Sequence, residues 1–373
     1  MDDTLTVHVQ RTPALAHLFV QAGACYGTDT SLHKATVRAP CVNLDLARPM
    51  RVLLSPVGVM KLLLTHVLGF PGRLLQAAMR APKPTTPSGN PMPPAVHVTL
   101  GRETLRDNGR LVIVGDIHGC NDEFGDLLEK VALTTDDTLI LVGDLVNKGP
   151  DSAGVVRRAR DHNAYAVRGN HDDSGLSAYR AWQEGEDVKK KHAWVKNLSE
   201  EDAAWMSALP FTIAIPCYNI MIVHAGLVPG VPLQDQSCTD MYKMRDVIPA
   251  AEAAAGECSD GRSWVGSERK SKAGKAWSKK WPGPEHVFFG HDAKRKLQLR
   301  EFATGLDTGC CYGGQLTACV LPPLSSYSGS AAAPTEKPPQ VDTCATGATL
   351  ESLKGELVAV PCRMVYEEPT GAD

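Results

Sequence analysis

No Cys-X-X-Cys pair occurs among the eleven cysteines of this 373-residue chain, and their spacing has no repeated interval. That lack argues against a zinc finger and against the even disulfide framework of small secreted domains. The cysteines are expected to be reduced, small apolar residues in an intracellular protein. An excess of one charge is also missing. The chain has 39 Lys+Arg against 42 Asp+Glu, a formal net charge of -3, so no global attraction to nucleic acid or membrane follows. Acidic residues are scarce in one region: between Thr30 and Leu100 there are eight Lys/Arg and a single acid, Asp45. Such a skew is typical of organelle transit peptides, whereas the opening Met1-Asp2-Asp3 is not. A cytoplasmic location is expected first, with the mitochondrion or another organelle as the alternative. The long apolar run VLLSPVGVMKLLLTHVLGF (52–70) contains Pro56, Lys61 and His66. A central Lys costs about 2.5–3.5 kcal/mol on insertion, so a membrane span is not expected. No internal repeat is present.

The length suits one large catalytic domain with extensions, or two modest domains. Residues 1–81 read as an N-terminal extension with a candidate targeting role. APKPTTPSGNPMPP follows, with six prolines between Pro82 and Pro94, and 82–95 reads as an extended linker. The catalytic body is expected over 96–322, a flexible Ser/Ala/Pro/Thr-rich excursion over 323–352, and a final strand and tail over 353–373. Within the body, strands are expected at RLVIVGD (110–116), TLILVGD (138–144) and NAYAVRGNHD (163–172). Helices are expected between them, over 121–133 and 151–162. Strand–helix–strand units with polar residues at each strand's carboxyl end imply a largely parallel, buried sheet whose site forms outside those ends. Later strands (211–215, 219–224, 285–291, 302–308, 316–322) read as hairpin-like pairs, with 357–366 pairing to 316–322.

The strand ends carry the chemistry. The first ends GDIHG, with Asp116 and His118; the second ends GDLVNKGP, with Asp144; the third ends RGNHD, with Arg168, Asn170 and His171. IVHAG adds His224 and FFGHD adds His291. Alternation puts Asp116 and His118 on one side of an extended chain. The mixed oxygen and nitrogen donors suit two divalent transition metals, and a carboxylate such as Asp144 can bridge ions about 3.5–4 Å apart. Glycines before Asp116, Asp144, Asn170 and His291 permit sharp turns. One such block alone is usually only a turn; five together are not.

The blocks GDIHG, GDLVNKGP, GNHD, HAG and GHD resemble the metallophosphoesterases of the phosphoprotein-phosphatase superfamily, over roughly 110–322. The resemblance implies an α/β fold of the calcineurin-like type, a four-layer αββα sandwich of two mixed sheets flanked by helices. It implies that Asp116, His118 and Asp144 hold one metal ion and that Asp144, Asn170, His224 and His291 hold a second. The ions would be Mn, Fe, Zn or Co, or Mg. A metal-bound hydroxide would attack phosphorus, and His171 would protonate the leaving oxygen. Arg168 becomes a candidate phosphate contact by proximity, and Arg245 by its likeness to a segment where related phosphatases keep a phosphate-binding Arg.

Ser/Thr phosphatases of this superfamily carry Asp and Arg where this chain has Asn147 and Lys148. Asn can still hydrogen-bond an imidazole but offers no charge to an imidazolium. Asp172 is a candidate substitute for that charge. Lys is a point charge rather than a bidentate fork. The VNKGP variant and the segment GLDTGCCYGGQLTACVLP (305–322) resemble the symmetrical diadenosine-tetraphosphatase branch, whose members cut phosphoanhydrides. Basic stretches interleaved with Trp, at 189–196, 267–281 and 294–300, suit a polyphosphate with a stacking base, or else are solvated surface with core tryptophans. Cys310 and Cys311 read as structural. The expected substrates are dinucleoside polyphosphates or related anhydrides, with an mRNA cap or inorganic polyphosphate as further candidates and with neither DNA nor membrane as a partner. The alternatives are a phosphoserine/phosphothreonine phosphatase and a metal-stabilised binding module without catalysis.

Overall fold

The computed structural model describes residues 84–253, 262–268, 272–327 and 347–369, and three strands before them. The chain divides into two units, Met1–Lys83 and Pro84–Asp373. In the first, β1 (Thr6–Thr12), β2 (Leu15–Gln21) and β3 (Val37–Arg38) form an antiparallel sheet. The apolar run 52–70 and, apart from these strands, the extension 1–81 read as a candidate targeting segment lie outside the described residues. Among the described residues no helix is long and apolar enough to cross a membrane.

The second unit is built on two mixed sheets. One has five strands in the order β17 (Glu356–Pro361), β16 (Gln315–Leu321), β5 (Leu111–Val114), β6 (Thr138–Leu141), β7 (Tyr165–Ala166). The other has six, in the order β14 (Gln298–Arg300), β15 (Ala303–Gly305), β13 (His286–Phe289), β9 (Ile220–Val223), β8 (Thr212–Ile215), β4 (His97–Thr99). The alternation of strand side chains divides the core between two faces. Leu111, Ile113, Ile140 and Val142 pack between the sheets against Ile213, Ile222 and Phe288. Val112, Val114, Leu139 and Leu141 face the other way, onto helices α1 (Asn121–Lys130) and α2 (Ser152–Asp161). Each of these side chains contributes about 1.5–3 kcal/mol by leaving water.

Local chemistry sets the helix starts. Asp151 caps α2 by accepting from the Gly154 amide at 2.8 Å. α1 opens with Asp122 and Glu123 and ends on Lys130, in accord with its dipole. The outer face of the six-stranded sheet is covered more thinly. Val223, Val287 and Phe289 pack on Met241 and Tyr242 of α5 (Cys238–Lys243) and on Trp277. Beyond them β10 (Asp246–Pro249) lies between β11 (Trp264–Ser267) and β12 (Lys275–Ala276) in a small antiparallel sheet.

Four expectations need correction. GNHD does not continue a strand: β7 stops at Ala166 and Asn170 opens a 14-residue helix, α3 (Asn170–Gln183). The later strands are not all hairpin partners, because β13 runs parallel to both β9 and β15. The proline-rich stretch is docked from Pro84 onward: Asn90 is buried, and its amide donates to the Asp173 carbonyl (2.6 Å) and carboxylate (2.9 Å). The excursion is anchored at both ends by buried Leu324, Ala348 and Leu353, while 328–346 lie outside the described residues. A fourth helix of this unit, α4 (Glu200–Ala208), starts in a capping box between Ser199 and Asp202.

Candidate metal and phosphate site

The site forms where β5, β6, β9 and β13 end. Backbone geometry there is costly: His118, Asp144, Asn147, Lys148 and His291 all have positive φ, between 49° and 75°. Non-glycine residues held in that region cost on the order of 1–3 kcal/mol each and collect at functional sites. Two glycines serve close approach. A Cβ on Gly290 would lie 1.8 Å from Asp116 Oδ1, and one on Gly169 would lie 2.1 Å from Asp144 Oδ1. Neither has a positive φ, so the turn expected before Asn170 and His291 matters here for backbone contact with a carboxylate.

Asp144 is the centre. His118 Nε2 lies 3.6 Å from one of its oxygens and His224 Nε2 lies 3.4 Å from the other. Two clusters of potential ligands share it, His118/Asp144/His171 and Asp144/His224/His291, with ligand atoms within 4.8 Å of one another in each. Asn170 Oδ1 lies 3.3 Å from His224 Nε2. The outer ring nitrogens are occupied. His118 Nδ1 faces the Val146 carbonyl (3.2 Å), His224 Nδ1 the Val142 carbonyl (2.9 Å) and His291 Nε2 the Lys243 carbonyl (2.9 Å). Each carbonyl takes a proton from one nitrogen and leaves the other a lone pair for a cation. Burial holds His118 and His291 well below the ordinary imidazole value, with Lys148 and His224 as the next causes, respectively.

The carboxylates also fit cations. Asp116 is buried; its Oδ2 accepts from the His291 amide (2.9 Å), while Oδ1 has no hydrogen-bond partner. Burial, then Asp307 and Asp144, push its pKa well up. Burial would raise Asp144 too, but the imidazoles of His224 and His171 hold it well below the ordinary carboxylate value. Three buried carboxylates facing one another are costly unless cations lie among them. The residues present therefore fit divalent cations.

The cavity above them is about 190 Å³. Lys148, Lys243 and Arg245 stand on its wall with Glu268, His171 and Tyr312. Lys148 Nζ donates to Tyr312 Oη (2.6 Å) and lies 3.3 Å from His118 Nε2. Burial works against its charge, but Tyr312, Cys311 and Asp144 raise its pKa, so it stays an ammonium. Asn147 is buried, and its side-chain nitrogen lies 2.9 Å from His171 Nδ1.

Sequence reasoning misplaced several residues. Arg168 is fully buried away from this cavity, hydrogen-bonded to Asp173 and the Ser207 carbonyl and stacked over Phe211. It braces the turn and does not line the cavity beside Asp144. Asp172 does not reach the His171 ring: it accepts from the amides of Asp144, Leu145 and Gly169, and burial raises its pKa to about 7. Trp277 is 1% exposed and packs on Phe289, so it offers no stacking face to a base. Trp194 packs beside Gly175, and Trp281 donates to the Glu285 carbonyl. Asp307 and Tyr312 were missed. Asp307 carried the same signal as Asp116, an acid closing an apolar strand; Tyr312 had none.

The calcineurin-like phosphoesterase family pattern matches residues 109–295. Serine/threonine-protein phosphatase 1 of Salmonella typhimurium is 29% identical over 215 residues, 55% of this chain and 88% of that one. The symmetrical bis(5'-nucleosyl)-tetraphosphatase of Salmonella paratyphi C is 28% identical over 253 residues, 55% and 89% of the two chains. A solved structure of a protein assigned as a diadenosine tetraphosphatase is 35% identical, with a TM-score of 0.55, and covers 72% of this chain and 98% of its own. With the match spanning the strand ends that carry Asp116 through His291, this chain belongs to the calcineurin-like phosphoesterase family of metal-dependent hydrolases.

Proposed function

We propose that this chain hydrolyses phosphoric anhydrides, with dinucleoside polyphosphates or related polyphosphates as substrates. An mRNA cap and inorganic polyphosphate share that bond and are included; DNA and membranes are not. Asp116, His118 and Asp144 would hold one divalent ion, and Asp144, Asn170, His224 and His291 the other. Mn, Fe, Zn or Co are the candidate metals, with Mg as a further one. When bound, the ions supply an activated water near neutral pH and neutralise phosphoryl charge.

The observation that carries the reading is the contact of Asn147 with His171. In the imidazolium that a general acid requires, both ring nitrogens carry protons; Asn147, with its amide turned so that Oδ1 accepts from Nδ1–H, leaves the Nε2 proton for a leaving oxygen. An amide at Nδ1 carries no charge to stabilise the imidazolium, so this contact assists His171 less than a carboxylate there would. A leaving phosphate has a second pKa of about 6 and needs little proton assistance, whereas a serine alkoxide needs much more. Lys148, Lys243 and Arg245 around one cavity also match a ligand with several phosphates. The seven described cysteines are free thiols, which suits a reducing compartment.

Lys148→Met tests the phosphate role. Loss of a hydrogen bond from a charged group costs about 1.5–3 kcal/mol, so KM for diadenosine tetraphosphate should rise by about 10–100-fold. An unchanged KM would remove Lys148 from substrate binding. A second reading, a phosphoserine/phosphothreonine phosphatase, is favoured by the similarity to serine/threonine-protein phosphatase 1. A steady-state comparison of an anhydride and a phosphopeptide decides between them.

A further inference from the structure

Under α1, away from the cavity, a second group of metal-ligating side chains comes together. Glu123, Cys310 and Cys362 offer ligand atoms all within 4.8 Å of one another. Cys362 Sγ lies 3.7 Å from Glu123 Oε1. The Cys310 thiol is also in hydrogen-bonding contact with Cys120, at the N-cap of α1. Glu123 and Cys120 are fully buried and Cys310 is 2% exposed.

The carboxylate is the unexplained group. Glu123 Oε1 accepts from the Arg363 amide (3.0 Å) and the Tyr366 hydroxyl (2.9 Å), while Oε2 is buried with no hydrogen-bond partner. The Arg363 guanidinium pairs directly with Asp122 and Asp126 and acts on Glu123 only through space, as the least of its electrostatic partners. Among the described residues no cationic side chain pairs with Glu123. A buried carboxylate facing thiols and lacking a cation is costly. The same set of donors, sulfur with one oxygen, is what zinc-class ions take in closed four-coordinate sites.

We propose that Glu123, Cys310 and Cys362, with Cys120 as fourth ligand, form a structural site for a thiophilic divalent ion of the zinc class. On binding, the thiols release their protons to solvent and the cation offsets the Glu123 charge. The site would tie together three segments distant in sequence: the start of α1 just after His118, the turn between Asp307 and Tyr312, and the chain beyond β17.

The test uses the full chain and the half-buried Cys362, which no step of the proposed reaction uses. Zinc bound per chain after dialysis should be one ion higher in the wild type than in Cys362→Ser. Loading with cobalt should give thiolate-to-cobalt charge-transfer absorption in the near ultraviolet. The Asp, Asn and His ligands of the catalytic site cannot produce it. The band should vanish in Cys310→Ser/Cys362→Ser, while the single variant controls for folding. Equal zinc content in wild type and Cys362→Ser, no charge-transfer band, or Cys310 recovered in a disulfide from protein purified under reducing conditions would overturn the proposal.

Discussion

Replacing Asp144 with asparagine is expected to lower kcat/KM by about a thousandfold or more while the fold persists. The substitution keeps the shape and the acceptor for the His171 amide, now 2.9 Å from Oδ1. It removes the one charge that both His118 and His224 approach within 3.6 Å. Ions at such a site are worth several kcal/mol of transition-state stabilisation, and each factor of ten costs about 1.4 kcal/mol. The loss should be matched by weaker retention of divalent ions on dialysis, and circular dichroism should be unchanged. Activity near wild type in the folded variant would show that Asp144 is not shared between two cations.

His171→Asn should behave differently. Its ring stands edge-on to His118 with centroids 4.8 Å apart and faces the cavity. General acid catalysis contributes roughly 10²–10⁴-fold. With an easily expelled phosphate as leaving group, the loss on diadenosine tetraphosphate should be near the low end, about a hundredfold. It should be larger for any residual activity on a phosphoserine peptide. Metal content should not change. A variant with wild-type rates, or one that loses its metal, would mean that His171 is not the proton donor.

The catalytic strands were legible because Leu111–Val114 and Thr138–Leu141 are short apolar runs closed by Gly-Asp, and few folds bury such runs on both faces. The convergence of Asp116, His118, Asp144, His224 and His291 was legible for the same reason: the strand ends that carry them meet. Direction was not legible. Arg168 stands two residues before Asn170, yet the helix that begins at Asn170 sends the two side chains apart, one to the cavity and one to Asp173. NHDDSGLSAYRAWQ has too weak an apolar stripe to announce α3. The basic, Trp-containing segments were ambiguous in sequence because Trp277 fills the thin outer layer that one short helix leaves over the six-stranded sheet. The thiol cluster was hidden because its members, at 120, 310 and 362, meet only when β16 pairs with both β5 and β17.

Asn147 and Lys148 bear most of the functional argument, and one experiment bears on both. Initial rates would be compared on diadenosine tetraphosphate, capped RNA, inorganic polyphosphate and a phosphoserine peptide. Each would be run with manganese, cobalt, zinc or magnesium and with a chelator. The account predicts metal-dependent cleavage of at least one anhydride, with kcat/KM well above that for the peptide and no turnover under chelation. Efficient release of phosphate from the peptide with the anhydrides inert would contradict it.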